Sequence, residues 1–209
     1  MAQNKVLYSV GRAILMPIFK ALYRCKIKNS GAIPPEGGVI LASNHMSFAD
    51  PPLLGIGCKR RLYFMAKAEL FENKFFGALI RALGAFPVVR GAGDGAAIKT
   101  GEDLIREGNV MTIFLEGGRS KTGELMRPRS GCALVAQQMQ VPVVPCCITK
   151  RSFNRTFSKT IIHFGDPLTP EDLGLTPDGG RRELKNASAV IMGEIKKMRE
   201  QDAKELEKG

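Results

Sequence analysis

The chain has two histidines, His45 and His163, so imidazole chemistry has few places to be. His45 stands in Ser43-Asn44-His45-Met46-Ser47-Phe48-Ala49-Asp50, directly behind the apolar run Val39 to Leu41. Open α/β sheets carry their functional side chains on loops that follow such runs. Asp50 is the natural partner, because a carboxylate accepting from one ring nitrogen fixes the tautomer and leaves the other nitrogen to take a proton. No serine or cysteine in a nucleophile elbow accompanies the pair, which points to a general base acting on a substrate hydroxyl and away from a covalent triad. Asp50 also precedes Pro51, and Asp before proline is a good helix N-cap, so a capping role stands beside the catalytic one. His163, inside an apolar run beside Phe164, reads as a structural histidine.

A second constellation is Ile113-Phe114-Leu115-Glu116-Gly117-Gly118-Arg119-Ser120, an apolar strand running into two glycines, an arginine and a serine. Glycines after a strand let backbone amides approach an anion, and an arginine fork matches phosphate geometry. A phosphate or oxyanion site is expected there; the plainer alternative is a glycine turn with a solvated arginine.

The elements that must hold these loops are apolar runs at Val39 to Leu41, Leu62 to Met65, Phe86 to Val89, Val110 to Leu115, Val143 to Ile148 and Ile161 to Phe164, read as strands. Helical patterns lie between them at Pro51 to Ile56, Leu70 to Leu83, Ala96 to Arg106 and Gly131 to Met139. The alternation predicts an α/β fold: a mixed, largely parallel central sheet flanked by helices. From Arg181 to Lys208, apolar residues recur at spacings of three and four and predict a C-terminal amphipathic helix. With 209 residues, no internal repeat and no long linker, one domain spanning 1–209 is expected.

The formal net charge of +11 calls for an acidic partner. Its placement is informative: Lys5, Arg12, Lys20, Arg24, Lys26 and Lys28 precede the first acidic residue, Glu36. Interleaved apolar residues at helical spacing, broken at Pro17, predict a basic amphipathic helical hairpin over 1–28, either lying on anionic lipid or docked on its own core. Its uncharged run, Ala13 to Phe19, is far short of the roughly 18 residues that a spanning helix needs. Five cysteines, odd in number and without CxxC spacing, argue against zinc or a disulfide framework and for a reduced, intracellular setting. No tryptophan, three tyrosines and no aromatic and basic interleaving argue against nucleic acid.

Asn44-His45 with Ser47 and Asp50 resembles the NHxSxxD block of the glycerophospholipid acyltransferases, most like the 1-acyl-glycerol-3-phosphate group. Glu116 to Ser120 is similar to their EGTRS block, with Gly118 in place of the usual threonine and Leu115 in place of the usual proline. Gly84 to Arg90 and Val141 to Pro145 resemble the second and fourth blocks. Transfer of a fatty acyl group from acyl-CoA or acyl carrier protein to a lysophospholipid hydroxyl, without metal or other cofactor, is what the resemblance implies. His45 would then be the base and Asp50 its orienting partner. Arg119, with Lys67 and Arg90, would hold the acceptor phosphate; Glu116 would position the acceptor, and the Gly117 and Gly118 amides would cradle phosphate or oxyanion. A peripheral enzyme on the cytoplasmic face of an anionic membrane is expected. The alternative from another class is a dinucleotide-binding oxidoreductase, since Gly91 to Ala96 matches GxGxxA and Glu116 follows about twenty residues later.

Overall fold

The computed structural model describes residues 5–88 and 95–208. Seven strands form one sheet: β1 (Lys26–Lys28), β2 (Val39–Ser43), β3 (Leu62–Lys67), β4 (Ala85–Val88), β5 (Val110–Phe114), β6 (Val143–Lys150) and β7 (Thr160–Phe164). Their spatial order is β1-β7-β6-β2-β5-β3-β4, with every neighbouring pair parallel except β6 and β7. Strands buried on both faces explain the unbroken apolar runs of the sequence. Along β2, Ile40 and Ala42 face one core, while Val39 and Leu41 face the other.

The first core lies under α4 (Gly95–Arg106), α5 (Gly131–Met139) and α6 (Arg181–Lys208), which contribute Ile105, Ala133, Ala136, Ile191 and Ile195. The second lies under α2 (Asp50–Gly57), with Leu53, Leu54 and the buried Tyr23. This is the expected α/β architecture, and the expected C-terminal helix is α6.

Two expectations are corrected. The N-terminal hairpin is instead one helix, α1 (Lys5–Leu22), running through Pro17 and followed by the edge strand β1. A proline inside a helix removes one backbone bond at a cost of about 3 kcal/mol. Docking on α2 offsets it: Gly55 leaves room for Met16, and the Arg12 guanidinium donates to the carbonyls of Lys59 and Cys58 at the end of α2. The helix expected over Leu70 to Leu83 is a 3₁₀ turn (Ala68–Phe71) and a shorter α3 (Lys74–Ala82), separated where the Asn73 side chain accepts from the Phe76 amide and starts a new helix.

The short β1 has a pairing that local pattern does not reveal. Lys28 Nζ lies 2.6 Å from Asp202 and 2.8 Å from Glu205 on α6, and Lys26 lies 2.7 Å from Glu205. His163 Nδ1 lies 3.1 Å from the same fully buried Asp202, the structural role expected for it. These contacts pin α6 against the β1 edge, so Lys26 and Lys28 are paired within the protein.

Candidate active site

The sheet's central strand β2 is flanked by β6 and β5, and the chain leaves β2 for β3, beyond β5, before returning. Such a switch point opens a crevice at the carboxyl ends of the strands. His45 follows β2 and Glu116 follows β5, so both candidate loops rise at that crevice.

Asn44 sets the His45 loop. Its buried amide is bidentate to Ile148 of β6, donating to the carbonyl at 3.0 Å and accepting from the amide at 2.8 Å. On the other side, the Ser120 amide donates to the His45 carbonyl at 2.8 Å. The His45 ring stacks on Phe114, with centroids 3.9 Å apart and planes within 12°. The loop is thus clamped from two strands, and the imidazole rests on an apolar floor.

Asp50 is fully buried, and its carboxylate is surrounded by donors. Oδ2 lies 2.7 Å from His45 Nδ1 and accepts from the amides of Met46 at 2.6 Å and Ser47 at 2.7 Å. Oδ1 accepts from the Ser47 hydroxyl at 2.9 Å. That hydroxyl in turn accepts from the Ala49 amide at 3.2 Å and the Lys150 ammonium at 3.3 Å. An ammonium and an amide can only donate, so the single Ser47 proton is directed at Asp50. An Asp50 carboxylate accepting from this shell is matched by a proton on His45 Nδ1, which leaves Nε2 as the basic nitrogen. Asp50 is the first residue of α2, and its acceptors serve the loop before the helix and not the first-turn amides; the cap position, Ala49, makes no side-chain cap bond. Its contacts are therefore those of a carboxylate that holds the His45 ring and the loop, not those of a helix cap.

Glu116 ties segments together. Oε1 accepts from the His45 amide at 3.1 Å and Oε2 from the Met126 amide at 3.3 Å. Burial raises its carboxyl above the usual range, and these two amide bonds oppose the rise. Gly117 has φ +66°, and a Cβ there would meet the Arg129 side chain at 2.5 Å. The positive φ favours glycine at that turn. Gly118 has open space where a Cβ would point, so the missing threonine of the resembled block leaves room beside the loop. Leu115, in place of the resembled proline, donates its amide to the Ser43 carbonyl at 3.0 Å, which proline has no hydrogen to do.

Arg119 is exposed, its guanidinium 3.6 Å from the Phe48 ring centroid, and it makes no ion pair with the described residues. One face of the guanidinium is occupied by the ring, which leaves its N–H edge free of the stack. Lys67, at the end of β3, is 2.7 Å from Glu69 and half-exposed; two strand spacings of about 5 Å separate β3 from β2. Arg90 and Gly91 to Asp94 lie outside the described residues, so the GxGxxA reading has no geometry to support it beyond α4 starting at Gly95.

Three contributors were not legible: the Asn44 clamp, the Phe114 floor and Lys150. Phe114 is one apolar strand residue among several, and a lysine ending a strand carries no pattern. The thiols are poor nucleophiles: burial pushes Cys132 and Cys147 up to about 12 and Cys25 up to about 11.

Replacing Arg119 with Lys keeps the charge and loses the planar stack and fork. A drop of about tenfold or more in kcat/KM is expected with phosphorylated acceptors and little change with a neutral one, read from initial rates. Equal rates across acceptors would mark Arg119 as a surface charge.

A family model described as Acyltransferase matches residues 24–149. The 1-acyl-sn-glycerol-3-phosphate acyltransferase of Bacillus subtilis is 33% identical over 162 residues, which are 75% of this chain and 79% of that protein. The Streptococcus pneumoniae protein of the same name is 28% identical over 165 residues, 76% of this chain and 61% of its own length. The crystal structure of a 1-acyl-sn-glycerophosphate acyltransferase from Thermotoga maritima superposes with a TM-score of 0.67 at 21% identity, covering 91% of this chain and 80% of that one, a likeness of fold.

Proposed function

The chain belongs to the acyltransferase family, and from that premise we propose that it moves a fatty acyl group from a thioester to the free hydroxyl of 1-acyl-glycerol 3-phosphate, forming phosphatidic acid. The observation that carries this reading is the His45 ring, held at Nδ1 by a buried, donor-saturated carboxylate, with no hydrogen bond at Nε2 among the described residues. The acceptor hydroxyl gives its proton to Nε2 as its oxygen attacks the thioester carbonyl. The C–O bond forms, the tetrahedral oxyanion is held by the Gly118 amide, the expected Gly117 amide being spent on the Phe114 carbonyl at 3.0 Å, and collapse of the oxyanion breaks the C–S bond. The leaving thiolate takes the proton from the imidazolium, so the base is regenerated. Arg119 holds the acceptor phosphate, with Lys67 and Arg90 as helpers, and Glu116 acts through the loops that it joins. The comparisons lend nothing to the oxidoreductase alternative.

The donor is acyl-CoA or an acylated carrier protein, and no further cofactor is needed. Purified protein is to be given each donor with 1-acyl-glycerol 3-phosphate, glycerol 3-phosphate or lysophosphatidylcholine. Phosphatidic acid from the first acceptor is the expected product; no acylated product from any lysolipid would overturn the reading.

The acceptor's membrane is the proposed partner, bound peripherally at its cytoplasmic face. No described helix is long and apolar enough to cross a membrane, but α1 exposes Ile14, Ile18 and Leu22 along one face. A helix with such a face and basic flanks lies in an interface. Truncation through Lys28 is a poor test, because it removes β1 and Tyr23 from the body. The double substitution Ile14→Asn with Ile18→Asn is the better one. It should weaken sedimentation with anionic vesicles by about tenfold or more at unchanged melting temperature. Unchanged sedimentation would remove α1 from the interface.

A further inference from the structure

Beyond the residues that the family model covers, which end at 149, the β6–β7 connection reads Arg151-Ser152-Phe153-Asn154-Arg155-Thr156-Phe157-Ser158-Lys159. No Asp or Glu occurs between Glu124 and Asp166, and Arg151, Arg155 and Lys159 make no ion pair with the described residues. The hairpin is nonetheless built to a set shape. The Arg151 amide donates to the Lys159 carbonyl at 2.9 Å, the Ser152 amide to Ser158 Oγ at 2.8 Å, and the Thr160 hydroxyl to the Ser158 carbonyl at 2.7 Å. Phe153 packs inward against Gly123, where even a Cβ would meet its ring at 2.7 Å. Phe157 is turned outward and is 51% exposed.

The hairpin is joined to the end of α1. The Phe157 ring meets Tyr23 edge to face at 5.4 Å, Tyr23 stacks on Phe19 at 5.9 Å, and the Thr160 amide donates to the Tyr23 carbonyl at 3.1 Å. Leu22, exposed, is the residue before Tyr23 and closes the apolar face of α1. Lys20 and Arg24, both exposed and without ion pairs among the described residues, flank that junction. The Lys150 ammonium, which bonds Ser47 in the His45 loop, lies 5.6 Å from the centroid of the same Tyr23 ring, so the junction borders the active site.

We propose that the Arg151 to Lys159 hairpin is a second membrane-contacting arm, which docks with the end of α1 on an anionic lipid leaflet and sets the His45 crevice against it. The inference rests on the membrane reading of α1 and adds to it an element far away in sequence. Charge and apolarity choose the occupant. Cations alone would suit any polyanion, including the phosphates of a soluble donor, but an outward phenylalanine packed on Tyr23 just past the end of α1 suits an interface where rings sit among headgroups and cations meet phosphates. Two arms also restrain rotation about the axis of α1, which one helix lying on a surface does not.

The test uses the full chain and vesicles of phosphatidylcholine alone or with one third phosphatidylglycerol. Arg155→Gln with Lys159→Gln should lower partition onto the anionic vesicles about thirty-fold at low salt, following from about 1 kcal/mol per basic residue near such a surface. The pair should keep the parent's melting temperature and its rate on a short-chain, water-soluble acceptor. Separately, Phe157→Trp supplies the chain's only tryptophan, and its emission should shift to the blue and be quenched by brominated lipid when anionic vesicles are added. Parent-like partition of the double variant, or a Trp signal blind to vesicles that the protein demonstrably binds, would overturn the proposal while leaving α1 as the anchor. Unchanged partition with a raised KM for acyl-CoA would overturn it in favour of a donor-phosphate site. Failure of the parent itself to bind anionic vesicles would remove the membrane reading, and this inference with it.

Discussion

A His45→Ala protein is expected to fold like the parent and to turn over on the order of 10² to 10⁴ times more slowly, or worse, because it lacks the base that the proposed mechanism uses to accept the hydroxyl proton. The fold should survive for a structural reason. The loop that carries His45 is held by backbone and Asn44 contacts that do not involve the ring: the Asn44 clasp on Ile148, the Ser120 amide on the His45 carbonyl and the Glu116 carboxylate on the His45 amide. What the substitution removes is the stack on Phe114 and one donor to Asp50, which retains the Met46 and Ser47 amides and the Ser47 hydroxyl. Initial rates with a saturating thioester, taken beside a thermal melt, measure both quantities. A well-folded His45→Ala protein that keeps most of its activity would end the general-base mechanism.

Asp50→Asn should be nearly as damaging to turnover, by around 10⁴ if it follows the Ser-His-Asp triad, in which an amide in place of the carboxylate favours the wrong imidazole tautomer. A mere helix cap would tolerate the change, since either side chain accepts from first-turn amides. The geometry adds a stability cost to the kinetic one. If the Asn oxygen keeps the Met46 and Ser47 amides, its NH₂ faces Ser47 Oγ, a hydroxyl that already accepts from Ala49 and Lys150 and whose proton points at the incoming donor. One donor meets another in a buried site, which costs about 1–3 kcal/mol. Ser47→Ala separates the two effects: it relieves that clash and leaves the His45 contact alone. Asp50→Asn with Ser47→Ala should regain stability over Asp50→Asn and remain slow. Recovery of rate along with stability would mean that Asp50 shapes the loop only.

The parts of this protein legible from sequence are those in which each residue reports its own environment. Strands buried on both faces must be largely apolar, so β2, β5, β6 and β7 announce themselves to within a residue or two, and the half-buried β3 does so through its apolar run Leu62 to Met65. Parallel strands need crossovers, so the alternation with helices implies the sheet. His45, Asp50 and the Glu116 to Ser120 turn sit close enough together in sequence to form recognisable blocks, since a dyad on one loop needs only a fixed local spacing. The β1 strand was not legible, because Lys-Ile-Lys becomes a strand through its partners: β7 on one side and the acidic face of α6 some 170 residues later. Pro17 misled for a related reason, as the local penalty of a proline is visible in the sequence while the docking on α2 that outweighs it is not.

Within the site, the types of the reacting groups were determined by the chain alone, and their states by the fold. A histidine and a carboxylate five residues apart can be a base and its partner or a loop residue and a cap. Burial of Asp50 under amide donors, a serine proton aimed by Lys150 and the Phe114 floor favour the first of these. Hydrogen-bond direction depends on every neighbour at once, and those neighbours arrive from β5 and β6, about 70 and 100 residues further along the chain. The same holds for charge: composition set the excess of cations, but only the tertiary structure consumed Lys26 and Lys28 in ion pairs with α6 while leaving Arg151, Arg155 and Lys159 without an ion pair among the described residues, because neutralisation requires an acidic group within about 4 Å and not merely one in the chain.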